Sequence, residues 1–103
     1  NTLEKLLSYK TLGLTLDFLL AQKIIPEVPK MIKIDVDGIE HLILLGAKIT
    51  LKNPICKTVL IEVNDKFKDQ ALEVKNILIE SGFSLDKKYH AVDETYNQIW
   101  SKD

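Results

Sequence analysis

Met31-Ile-Lys-Ile-Asp-Val-Asp-Gly-Ile-Glu-His-Leu-Ile-Leu-Leu-Gly46 decides the fold, because an apolar run meets three acids and a glycine and passes straight into a second apolar stretch. Met31 to Val36 reads as a buried parallel strand. Asp37-Gly-Ile-Glu40 fits a capping box, with Asp37 accepting from an early helix amide and Glu40 reaching back. The helix is expected to run to about Leu51, where Asn53-Pro54 stops it. Ligands of open α/β sheets bind outside the carboxyl ends of the strands, so Asp35, Asp37 and Glu40 stand where chemistry is usual.

Downstream, Thr58-Val-Leu-Ile-Glu-Val63 is a second near-continuous apolar run rich in β-branched residues. Strand, helix and strand make one right-handed crossover unit. Asn64 and Asp65 are cap candidates for a helix whose apolar stripe is Phe67, Ala71, Val74, Ile77 and Leu78, ending at Gly82. This gives a second crossover. Phe83-Ser-Leu85 and Asn97-Gln-Ile-Trp100 read as short strands of a terminal antiparallel pair. A polar connection through Lys87, Lys88, His90, Asp93 and Glu94 separates them.

Upstream, Leu3, Leu6 and Leu7 follow helical spacing, and Thr15 caps a second helix through Asp17, Phe18, Leu19 and Leu20 to about Lys23. Pro26 and Pro29 then force a loop.

With 103 residues, 46% hydrophobic and 28% charged, residues 1–103 read as a single domain or a fragment of one. The opening Asn1, running at once into Leu3-Glu-Lys-Leu-Leu7, suggests a piece of something longer. A formal net charge of −1 offers no global field for a nucleic acid or an anionic bilayer. The lone Cys56 cannot form an internal disulfide, and neither a membrane span nor a signal peptide is evident, so a cytoplasmic location is expected.

Asp35 and Glu62 each precede the last apolar residue of a strand. If the strands are neighbours, the two carboxylates could share a pocket, where one would accept a proton or both would hold a hard cation. The alternative is that both only orient loops or bind helix amides. Asp37 and Glu40 suit a helix amino terminus without any catalytic duty. His41 has no Cys or second His at metal-ligand spacing, so no metal site is expected. Asp37, Glu40 and His41 are therefore candidates for substrate binding or loop positioning. Cys56 reads as a small buried side chain rather than a nucleophile. Tyr89, Tyr96 and Trp100 read as closing a core edge rather than stacking a ligand.

Ile32-Lys-Ile-Asp-Val-Asp-Gly-Ile-Glu40, then Leu45-Gly-Ala47, Pro54 and Leu60-Ile-Glu-Val63, closely resemble the carboxyl-terminal half of FkbM-type S-adenosylmethionine-dependent methyltransferases. Thr15-Leu-Asp17, Gly82-Phe83 and Asn97 extend the resemblance over roughly residues 14 to 100. Asp37 departs from the family's commoner glutamate. The resemblance implies an α/β fold, a partial Rossmann-like methyltransferase sheet in which parallel strands with crossover helices end in an antiparallel hairpin. Met31–Val36 would be its fourth strand and Thr58–Val63 its fifth.

The resemblance also implies methyl transfer from S-adenosylmethionine to a small-molecule hydroxyl, of a sugar or natural product, by a longer parent. Asp35 would accept the hydroxyl proton or position the acceptor, and Glu62 would support it or share a cation. The first three strands, with the glycine-rich loop and the acid that hold most of the cofactor, have no counterpart here. This chain alone is expected to bind the cofactor poorly.

Two other readings compete. Asp35-Val-Asp-Gly38 resembles the nucleophile motif of haloacid-dehalogenase-type phosphohydrolases, although Ile39 replaces the hydroxyl residue expected there and no later aspartate pair appears. A degenerate methyltransferase half could instead serve as a non-catalytic interaction module, forming homo-oligomers through an exposed sheet edge.

Overall fold

The computed structural model describes residues 15–34 and 40–103. The Leu3, Leu6 and Leu7 pattern, Asp35 and the Asp37 half of the capping box lie outside the described residues.

Thr15 opens α1 (Leu16–Ala21) as its spacing foretold, its hydroxyl accepting from the Phe18 amide at 3.0 Å. The helix is shorter than expected, with Gln22 as its cap and Lys23 in the left-handed region at φ 58°. After the two prolines, β1 (Met31–Ile34) runs parallel to β2 (Thr58–Asn64), with Ile32 beside Val59 and Ile34 beside Ile61. All four of these side chains are buried, as their apolar, β-branched character requires.

The connection between them corrects the single helix expected to Leu51. It consists of α2 (Glu40–Leu45) and α3 (Lys48–Lys52), broken at Gly46-Ala47. In a continuous helix the Ile49 and Thr50 amides would donate four residues back, to Leu45 and Gly46. Here they donate to the Asp17 carboxylate, at 3.0 Å to Oδ2 and 2.8 Å to Oδ1, and the Thr50 hydroxyl adds a bond of 2.5 Å to Oδ1. The Gly46 carbonyl accepts instead from the Asp17 amide at 3.0 Å. Ala47, at the cap position of α3, has no side-chain acceptor. Asp17 thus caps α3 from a distant segment and ties α1 to it.

Gly46 is required at this crossing for space. A Cβ there would stand 2.7 Å from Thr15 Cγ2 and 2.8 Å from its Cβ. Gly46→Ala should therefore push the Thr15 cap aside and destabilise the chain by about 1–3 kcal/mol, the usual cost of overpacking. A urea titration that left the midpoint of Gly46→Ala unmoved would show that this crossing yields freely.

From β2 the chain enters α4 (Lys68–Glu80), which buries Val74, Ile77 and Leu78. Two expectations need correction here. Asn64 does not cap the helix, but its Oδ1 accepts from the Lys66 amide at 2.9 Å in the preceding turn. Phe67 is at the cap position and half exposed, outside the core stripe. Gly82, at φ 96°, takes the left-handed conformation that ends a helix at low cost.

The expected polar connection is itself a strand. β3 (Ser84–Val92) and β4 (Thr95–Ser101) form a hairpin turning at Asp93-Glu94, with Asp93 at φ 49°. Aspartate tolerates that region better than most residues. Register shifts between Leu85 and Lys87 and between His90 and Val92 break the alternation in β3, and every residue of the strand is exposed.

The sheet order is β1-β2-β4-β3. β4 is antiparallel to both neighbours, so β3 runs parallel to β2 with β4 inserted between them. One sheet face carries Ile32, Ile34, Val59, Ile61, Val63 and Trp100, all buried beneath the helices. Trp100 thus joins the core, where its Nε1 donates to Gln98 Oε1 at 2.8 Å, whereas Tyr89 is 51% exposed and closes no core edge. On the opposite face Met31, Lys33 and Asn97 are exposed, and Leu60, Glu62 and Ile99 are partly so.

Cys56 is fully buried where the chain leaves α3 for β2. Burial pushes its thiol pKa up, opposed more weakly by the nearby Lys102 ammonium. The folded chain should hence be alkylated by iodoacetamide at least about 100-fold more slowly than the urea-unfolded chain, since only the exposed thiolate reacts. The unfolded thiol ionises first as pH rises past about 8.5, so the group's stabilising contribution is full below that pH and lost above it. The stability advantage of the native chain over Cys56→Ala should shrink between neutral pH and about 10. Equal labelling of folded and unfolded chains would contradict this burial.

Candidate functional site

The parallel pair sets the geometry. Its register ends with Ile34 beside Ile61, and the next residue of β2 is Glu62. Because successive side chains alternate, Glu62 turns to the face opposite Ile61, away from the helices. There it stands opposite Asn97 of β4, and Tyr89 of β3 follows on the far side of Asn97. A carboxylate, an amide and a phenol thus lie in one row across three strands. With Lys33, Leu60 and Ile99 they line a depression of about 440 Å³.

Glu40 and His41 lie elsewhere. Glu40 is buried at the first turn of α2, and His41 is half-buried beside it. Both line a crevice of about 10 Å³ with Val63, Asn64, Phe67 and Gln70. That is the scale of a single water molecule. His41 Nδ1 is shielded from solvent and makes no hydrogen bond among the described residues. The helix-covered side of the sheet thus holds Glu40 and His41, and the open side holds Glu62.

The candidates therefore do not gather in one described pocket. Asp35 and Asp37 lie outside the described residues, and among the described residues no three His, Cys, Asp or Glu side chains converge to hold a metal ion. Tyr89, which no motif announces, and Lys33, which lies within the Ile32–Glu40 stretch but was not a candidate, join Glu62. Only the strand register, which the bulges of β3 obscure in sequence, could have brought Tyr89 to that row.

The Methyltransferase FkbM domain matches residues 11–85 of the 103. The chain belongs to the FkbM methyltransferase family. The match takes in the segment that carries Asp17, β1, both crossover helices, β2 and α4, and it ends at Leu85, before Asn97. No curated protein and no solved structure gives a significant match. Membership of this family gives the Asp17-to-α3 tether and the Gly46 crossing a setting, since both lie inside the matched region. No helix among the described residues is long and apolar enough to cross a membrane.

Proposed function

We propose that this chain is the carboxyl-terminal part of a cytoplasmic, S-adenosylmethionine-dependent methyltransferase with a Rossmann-like sheet, acting on a hydroxyl of a sugar or natural product. The observation that carries this reading is the FkbM domain match across the strand–helix–strand unit. In it, β1 and β2 correspond to the fourth and fifth strands of the parent sheet, and the β3–β4 hairpin to the last two. The family match favours it over the haloacid-dehalogenase alternative.

The described residues do not fit S-adenosylmethionine unaided. The depression beside Glu62 is an open sheet face rather than an enclosed slot, and its lining of Lys33, Leu60, Ile61, Glu62, Tyr89, Asn97 and Ile99 includes no glycine turn. Such a turn, with backbone amides free, is how nucleotide-type ligands are usually held in α/β sheets. Residues outside this chain would have to supply most of the cofactor contacts. On the acceptor side, Asp35 is proposed to take the hydroxyl proton and Glu62 to support it. The β1–β2 register supports this pairing, since Asp35 and Glu62 are the next residues in chain order after the paired Ile34 and Ile61.

Calorimetric titration with S-adenosylmethionine and S-adenosylhomocysteine, of this chain and of the longest obtainable parent, tests the proposal. Binding by the parent alone is the expected result. Tight binding by this chain would refute the account of the cofactor site, and binding by neither would favour a non-catalytic interaction module.

A further inference from the structure

On the helix-covered side of the sheet, α4 buries Val74, Ile77 and Leu78 in the core, while every residue of β3 is exposed. Between α4 and β3 runs a groove of about 760 Å³. Its wall is one stripe of α4, formed by Lys68, Leu72, Lys75 and Ile79 at helical spacing, with Leu85 of β3 facing it and Trp100 at its floor. Leu72, Ile79 and Leu85 are each about half exposed, at 55%, 51% and 46%. Clustered half-exposed aliphatic side chains of this kind mark interaction sites more often than ordinary surface.

The charges select the occupant. Lys68 and Lys75 are exposed on the same stripe and make no ion pair among the described residues. Lys88, across the groove, is neutralised by Asp65 at 2.8 Å and lies over the Tyr96 ring at 4.5 Å. The groove therefore presents apolar anchors beside two uncompensated positive charges. A second copy docked groove to groove about a two-fold axis would bring these lysines toward their own equivalents, which is unfavourable. An added strand is opposed by the β3 edge, which carries Lys87, Lys88 and two register shifts, devices that blunt edge pairing. A helix suits the space, because its width of about 10 Å matches two strand spacings and lets it lie beside α4.

We propose that the groove between α4 and β3 docks an amphipathic helix of a partner protein, whose apolar side chains meet Leu72, Ile79 and Leu85 and whose acids meet Lys68 and Lys75. The twelve residues from Lys68 to Ile79 span about 17 Å, so roughly three turns of partner helix fill it. This docking is independent of the methyl-transfer reading.

Trp100 is the only tryptophan, and it reports on the groove. The probe is a synthetic helical peptide of about 14 residues, roughly four turns, with leucines along one face and glutamates flanking them. It is compared with a twin in which every glutamate is lysine. The full chain should show a saturable change in Trp100 emission with the acidic peptide, weakening as salt rises from about 0.05 to 0.5 M. The twin should give none. The double variant Lys68→Glu/Lys75→Glu, whose lysines make no hydrogen bond or ion pair among the described residues, should keep its thermal transition and lose affinity about tenfold or more. Equal binding of both peptides, silence with both, or unaltered affinity of the double variant would overturn the proposal. So would self-association that Leu72→Glu dissolves, because the groove would then belong to a second copy.

Discussion

Asp17→Ala is expected to remove about 2–4 kcal/mol of stability, a large share of the roughly 5–15 kcal/mol that holds an ordinary domain. The carboxylate accepts the Ile49 and Thr50 amides and the Thr50 hydroxyl, and Thr50 itself is buried. A hydrogen bond to a charged group contributes about 1.5–3 kcal/mol, and loss of a helix cap alone costs about 0.5–2 kcal/mol. These contributions overlap, so they do not simply add. α1 would also lose its anchor, loosening Leu16 and Leu19 from the core they help form. Asp17→Asn keeps an oxygen acceptor but not the charge, and should fall about halfway between. Urea unfolding followed by circular dichroism reads the effect. A loss below about 0.5 kcal/mol, the range of an ordinary surface change, would mean that packing and the bond from the Asp17 amide to the Gly46 carbonyl suffice to hold α1 in place.

The second large effect concerns catalysis in the parent enzyme. On the proposed assignment, Asp35→Asn should lower turnover by about 10²- to 10⁴-fold, the usual contribution of a general base. Affinity for S-adenosylmethionine should change by less than about threefold, because the acceptor side alone is altered. Glu62→Gln, which touches the supporting partner, should cost less and shift the pH–rate profile rather than abolish turnover. Thermal unfolding must accompany both, since an acid that only positions a loop would lower the transition temperature along with the rate. Unchanged turnover in Asp35→Asn would end the assignment. Equal losses in rate and cofactor affinity would move Asp35 to the cofactor side.

The parallel pair was legible because both strands keep an apolar residue at every second position, Ile32 and Ile34 in β1 and Val59, Ile61 and Val63 in β2, all buried on the covered face. The Thr15 cap was legible because its signal is local. The break at Gly46-Ala47 was not, because what competes for the Ile49 and Thr50 amides lies 32 and 33 residues away in sequence. Helical periodicity reads straight through such a tertiary tether. β3 was hidden for a different reason. It lies at the sheet edge, so no alternation of burial marks it, and its turn, Asp93-Glu94, lacks the glycine that usually announces a hairpin. Within the candidate site, the position of Glu62 near a strand end was readable. The separation of Glu62 from Glu40 and His41 required knowing which face the helices cover.

The placement of β4 bears on how the molecule is made. During synthesis β1 and β2 can pair as soon as both have left the ribosome, since they are neighbours in the finished sheet. β3 emerges next but has no finished partner, because the place beside β2 belongs to a strand not yet translated. Only when Thr95–Ser101 appears can it slot between them, bonding to both at once. A nascent chain stalled before that point exposes the unfilled flank of β2, the open backbone that chaperones and aggregation compete for.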